Sequence, residues 1–155
     1  MSSLPYIIEP AQLAALQVQT SDLLLVDLSS DENYQQGHID GAIHVPPRWL
    51  LSGHPPVPGK IASEDQLNKL FSFLGLKPDT HVVVYDDEGG GWAGRFIWTL
   101  DAIGHTRYSY LNGGLHAWIN SGLPLSQRVP TVKPSKVNVK INPAVVVEVV
   151  DILRD

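Results

Sequence analysis

The 155-residue chain contains no cysteine. Disulfides are excluded, and so is every mechanism that uses a protein thiolate as nucleophile, sulfur carrier or metal ligand. The absence assigns no compartment, because a cysteine-free chain suits reducing and oxidising surroundings alike. Charge is also sparse: charged residues are 17% of the chain, with 11 Lys and Arg against 16 Asp and Glu, a net charge of −5. That balance argues against nucleic acid or an anionic membrane as the main partner. The longest apolar stretches run four or five residues, far short of the roughly 18 that a membrane span requires. Met1-Ser2-Ser3-Leu4-Pro5 has no basic segment leading into an apolar core, and a cytoplasmic protein is expected. The six histidines, at 38, 44, 54, 81, 105 and 116, show no His-x-x-x-His pairing. No metal or other cofactor is expected.

What is present is an ordinary core-forming composition, 43% hydrophobic, enough for one domain. Leu23-Leu24-Leu25-Val26-Asp27 and His81-Val82-Val83-Val84-Tyr85 are unbroken apolar runs, the pattern of strands buried on both faces. Ile7-Ile8 is a short apolar start, Ala42 to Val45 a short strand closed by Pro46-Pro47, and Tyr108 to Leu111 a further strand. Helices are predicted over Ala11–Gln17, Asp31–Gln36, a segment after the Ser63…Gln66 capping box that Gly75 ends, Ala93–Ile103 and Leu115–Asn120. Strands alternating with helices predict an α/β domain of three layers, a mainly parallel central sheet with helices on both faces. Arg48 to Lys60, rich in proline and glycine, reads as a surface excursion. Domain limits of 1–130 are expected. The tail 131–155, with alternating Val137, Val139 and Ile141 and a helical-looking Ala144 to Arg154, reads as a linker and the start of a second unit.

The stretch richest in chemistry is Asp86-Asp87-Glu88-Gly89-Gly90-Gly91 between the second apolar strand and Trp92-Ala93-Gly94-Arg95-Phe96-Ile97-Trp98. A loop at the carboxyl end of a parallel strand is where open α/β sheets bind ligands. The helix that follows offers unpaired N–H groups that favour an anion. Here the loop opens instead with three carboxylates.

Three segments together resemble the rhodanese family of sulfurtransferases. The first is Val26 to Ile43, including Gly37-His38-Ile39-Asp40-Gly41-Ala42. The second is Val82 to Trp98, and the third is Leu111-Asn112-Gly113-Gly114-Leu115-His116-Ala117-Trp118 with Gly122-Leu123-Pro124. The resemblance spans about residues 20 to 125. It implies a rhodanese-like fold and, in active members, a cysteine that carries a persulfide. Asp86 occupies the place of that cysteine. Ser29 stands where the family usually has arginine, and Asn33 where it often has glutamate, so an ion pair common in the family is expected to be missing. The chain resembles the cysteine-less amino-terminal domain of tandem thiosulfate or 3-mercaptopyruvate sulfurtransferases.

That resemblance implies a domain inactive alone, supporting persulfide-based sulfur transfer by a second, cysteine-bearing domain. Two other readings stay open: a stand-alone cysteine-less module that binds a protein partner, and a phosphatase or hydrolase built on Asp86. Asp86, Asp87 and Glu88 could be a nucleophile with helpers, a metal site, or side chains filling the former anion cradle, and the last is favoured. No catalytic residue is expected, and the loop Asp86, Asp87, Glu88, Gly89, Gly90 and Gly91 is the equivalent of an active site. Arg95 could meet a substrate anion, although pairing with a nearby acid is favoured. His38 follows the end of a short helix, where a cation is stabilised by the helix carbonyls. Trp49, Leu50, Leu51 and Arg95 are candidate contacts to another domain. The expected partner is a second rhodanese domain of the same polypeptide or another copy of the chain, with no role for nucleic acid or membrane.

Overall fold

Alternate residues of two neighbouring strands feed two separate cores, which fixes the layering of the molecule. The fold is a computed structural model that describes residues 6–19, 23–52, 60–61 and 64–130. Residues 53–59, Ser63 of the expected capping box and residues 131–155 lie outside the described residues. The strands are β1 (Ile7–Ile8), β2 (Leu23–Asp27), β3 (Ile43–His44), β4 (Leu51–Ser52), β5 (Lys60–Ile61), β6 (His81–Tyr85) and β7 (Tyr108–Leu111). The helices are α1 (Pro10–Gln19), α2 (Asp31–Gln36), α3 (Glu64–Leu74), α4 (Gly91–Ala102) and α5 (Gly114–Asn120), with a 3₁₀ turn over Pro47–Leu50. Five strands form a sheet in the order β1-β7-β6-β2-β3, every pair parallel. β6 lies at its centre, paired with β2 from Leu23↔His81 to Asp27↔Tyr85 and with β7 from Val82↔Tyr108 to Val84↔Tyr110.

Side chains alternate across a strand. Val82 and Val84 of β6, with Leu24 and Val26 of β2, pack on Leu67, Phe71 and Leu74 of α3 and Phe96 and Leu100 of α4. Val83 and Tyr85, with Leu25, pack on Leu13 of α1 and Leu115 and Trp118 of α5. Both faces are therefore covered. Each of these fully buried aliphatic side chains contributes about 1.5–3 kcal/mol relative to exposure.

The segment from Arg48 departs from the expected surface excursion. β4 and β5 pair antiparallel as a small ribbon, and Leu50 is fully buried in the core that holds α3 and α4. With about three residues per turn, a 3₁₀ turn points consecutive side chains in different directions. Leu50 goes inward while Trp49 stays 41% exposed, edge-on to Phe73 with ring centroids 6.3 Å apart. Leu50 is thus core rather than a contact for another domain. Leu51 opens β4, and its side chain lies outside the described residues. β3 is shorter than the sequence predicts: Ile43 and His44 pair with β2, the Ala42 N–H is given instead to Ile39 O, and after Val45 N–H donates to Asp27 O at 2.9 Å Pro46 has no N–H to continue the ladder.

Candidate functional site

Tyr85 ends β6, and the chain then turns through Asp86 to Gly90 into α4. Asp86 is 1% exposed. Its Oδ1 accepts the N–H groups of Glu88 at 3.0 Å and Gly90 at 2.9 Å, and its Oδ2 accepts that of Ala93 at 2.9 Å. Gly90 and Ala93 contribute donors at the start of α4, which have no partner within the helix. A carboxylate there also meets the positive end of the helix dipole. This cap explains why α4 begins at Gly91, two residues before the start expected from the sequence. Of the three carboxylates expected to fill the cradle, it is the side chain of Asp86 that is turned into these amides.

The loop can close this tightly only with glycine at certain points. Gly90 has φ +99°, a left-handed conformation that suits glycine, and a Cβ there would lie 2.7 Å from the Tyr110 hydroxyl. Gly114, with φ +59°, lets α5 approach so closely that a Cβ would collide with the Asp86 carbonyl oxygen. That same oxygen accepts the N–H of Leu115 at 3.0 Å. Burial raises the pKa of the Tyr110 phenol, and the charge of Asp86 adds to the shift.

Asp87 and Glu88 play different parts from Asp86. Asn33 on α2 donates its side-chain amide to Asp87 Oδ2, and His116 Nε2–H on α5 donates to the Asp87 carbonyl oxygen at 3.0 Å. The loop is thus fastened from both sides. Glu88 is exposed. The carboxylates of the loop do not converge: one is turned into the amides, one onto α2 and one faces solvent. Among the described residues no group of three His, Cys, Asp or Glu side chains is placed to hold a metal ion. Asn33 was singled out in the sequence, but its reach to Asp87 across 54 residues was not. Nor was that of His116, and no local pattern signals either contact.

Beneath the loop lies a buried polar network. Asp27 accepts the backbone and hydroxyl groups of Ser29 through Oδ1 and the Tyr85 hydroxyl, at 2.6 Å, through Oδ2. The Tyr85 oxygen in turn accepts the N–H of Ile39 at 3.1 Å. Burial first, and then the Asp27 charge, hold the Tyr85 pKa well above its ordinary value, so the phenol remains a donor. Ser29 and Asn33, at the two positions where an ion pair was expected to be missing, are neutral side chains bonded to Asp27 and Asp87 respectively. Arg95 lies with its guanidinium carbon 4.4 Å from the Trp98 ring centroid, a cation–π contact. Burial lowers its pKa from the ordinary value.

A parallel sheet whose central strand runs into a loop closed by a buried carboxylate on its own amides defines an α/β domain. The chain belongs to the rhodanese family: residues 9–121 match the model of the rhodanese-like domain. It is 54% identical over 129 residues to the thiosulfate sulfurtransferase of Azotobacter vinelandii, covering 83% of this chain and 47% of that protein. The thiosulfate sulfurtransferase of Pseudomonas aeruginosa is 52% identical with the same coverage of both chains. Among solved structures, the Escherichia coli 3-mercaptopyruvate sulfotransferase SseA superposes with a TM-score of 0.82 and 25% identity, over 97% of this chain and 61% of that one. The chain spans about half the length of the curated relatives it matches.

Proposed function

We propose that this chain is the non-catalytic rhodanese-like domain of a thiosulfate or 3-mercaptopyruvate sulfurtransferase, supporting persulfide-based sulfur transfer by a second, cysteine-bearing domain. The observation that carries the reading is the state of the cradle. The Glu88, Gly90 and Ala93 amides that could hold a sulfur-borne anion are occupied by the carboxylate of Asp86. A carboxylate cannot store a sulfane sulfur, a task that needs a soft thiolate. The names of the relatives, and the half-length match to them, support the substrate class and the second domain. A cytoplasmic setting is part of the same reading, and fractionation of the source cells tests it.

The experiment is to read the coding sequence beyond Asp155 and assay the whole product. A second domain with a cysteine loop, and turnover that depends on that cysteine, is expected. A reading frame without one would leave the stand-alone module, a reading that the exposed Trp49–Phe73 aromatic pair favours. The same geometry weighs against an Asp-based hydrolase, since both oxygens of Asp86 face amides of its own chain and the side chain is buried.

A further inference from the structure

Asn112-Gly113 is the one Asn-Gly step in the sequence, and it forms the turn between β7 and α5. Both residues are exposed. Gly113 holds φ +76°, and a Cβ there would stand 2.6 Å from the Ala117 Cβ, so the turn requires glycine. An asparagine in front of a glycine carries two reactive groups within one dipeptide. The glycine backbone nitrogen can attack the side-chain carbonyl carbon of the asparagine and close a five-membered ring, and the missing Cβ leaves that approach open.

The fold holds this side chain in place. Asn112 Nδ2 donates to Glu9 Oε1 at 2.9 Å, across 103 residues, and Asn112 N–H donates to Ile8 O at 2.9 Å. Glu9 is itself anchored at the head of α1. Its N–H donates to Gln12 Oε1 at 2.8 Å, and its carbonyl oxygen accepts the Leu13 N–H at 3.0 Å. The bond to Ile8 ties the start of the turn to β1. The bond to Glu9 lies at the surface and has to break before the Asn112 amide can swing onto the Gly113 nitrogen.

We propose that Asn112-Gly113 is a site of spontaneous covalent modification, held in check by the Glu9 carboxylate. The step is intramolecular and its only co-reactant is water. A bond forms between Gly113 N and Asn112 Cγ, and the Gly113 N–H proton passes to solvent. The Cγ–Nδ2 bond breaks as Nδ2 takes up a proton and leaves as ammonia. Water then opens the succinimide ring at either carbonyl, leaving aspartate or isoaspartate at position 112. Nothing is oxidised or reduced.

Either product acts on the acidic loop. A carboxylate at 112 faces the Glu9 carboxylate where a donor stood before, an unfavourable like-charge pair. Isoaspartate also routes the main chain through the side-chain methylene. That adds one carbon to the turn that seats Gly114 against the Asp86 carbonyl oxygen and brings the Leu115 N–H to it at 3.0 Å. The joint between the loop and α5 therefore loosens as the chain ages. The proposal stands on these contacts and is independent of the proposed function.

The test incubates the whole chain in mildly alkaline buffer and follows Asn112 by peptide mapping, beside a synthetic peptide of residues 108–118. The peptide lacks Glu9 and sets the unrestrained rate. In the folded chain Asn112 is expected to convert roughly tenfold more slowly, the factor set by one bond to a charged acceptor. Glu9→Ala is expected to recover most of that factor, and Glu9→Gln, which keeps an acceptor oxygen without the charge, a part of it. Conversion at Asn112 no faster than at Asn33, Asn68 or Asn120 overturns the site. A folded chain as fast as the peptide, or rates unchanged in both Glu9 variants, overturns the check by Glu9. In the converted chain, amide protection at Leu115 is expected to fall while that at Val83 holds. Unchanged protection at Leu115, or an equal loss at Val83, overturns the effect on the loop.

Discussion

Asp86 shows how one side chain closes a loop into a structural joint. Three N–H groups converge on its carboxylate, and hydrogen bonds to a charged acceptor are among the stronger ones in proteins. Asp86→Ala would leave those donors facing an apolar gap, and a loss of about 2–4 kcal/mol in urea unfolding is expected. Asp86→Asn, which keeps one carbonyl oxygen as an acceptor, should lose less. Asp86→Cys puts a thiol where the resemblance to the family leads one to expect the cysteine, yet Asp87 and Glu88 remain beside it. Their charges disfavour the thiolate and repel an anionic donor, so a thiosulfate assay of that variant should show no efficient turnover. Efficient turnover would mean that the acidic loop matters less than its placement implies.

At the scale of elements, the strand–loop–helix unit of β6 and α4 was legible because its signals are local: four apolar residues without polar alternation, three glycines, then an apolar helix face. The central parallel placement of β6 followed from the same run. The 3₁₀ turn was not legible, since a Trp-Leu-Leu triplet among prolines carries no period that separates inward from outward side chains. The structure turns that ambiguity into a contrast. Leu50→Ala removes a fully buried side chain and should cost about 2–5 kcal/mol. Trp49→Ala, at the half-exposed neighbour, should cost much less. Equal losses in denaturant titrations would contradict the inward and outward assignment.

For the molecule as a whole, the phenol of Tyr34 ties stability to pH on the alkaline side. Burial, then the Asp27 charge, push the Tyr34 pKa up from 10.0 to about 12. The folded chain keeps that proton after the unfolded chain has lost it, so the folded state binds more protons and stability falls with rising pH. The decline is expected between about pH 10 and 12, and Tyr34→Phe should make it shallower in pH-dependent unfolding.

The alternation of strands and helices made the three-layer fold readable, and the acidic loop before a helix start made a carboxylate facing helix amides an expected arrangement. The contacts of Asn33 and His116 to Asp87 were not, because they join residues 54 and 29 positions apart and leave no mark on local pattern. The central claim, a cradle filled by its own carboxylate and unable to carry sulfur, is tested most directly by incubating the purified 155-residue chain with thiosulfate, weighing it by intact-mass spectrometry and assaying sulfur transfer to cyanide. The account predicts an unchanged mass and no turnover. A mass gain of one sulfur atom, or turnover that disappears in Asp86→Asn, would contradict it.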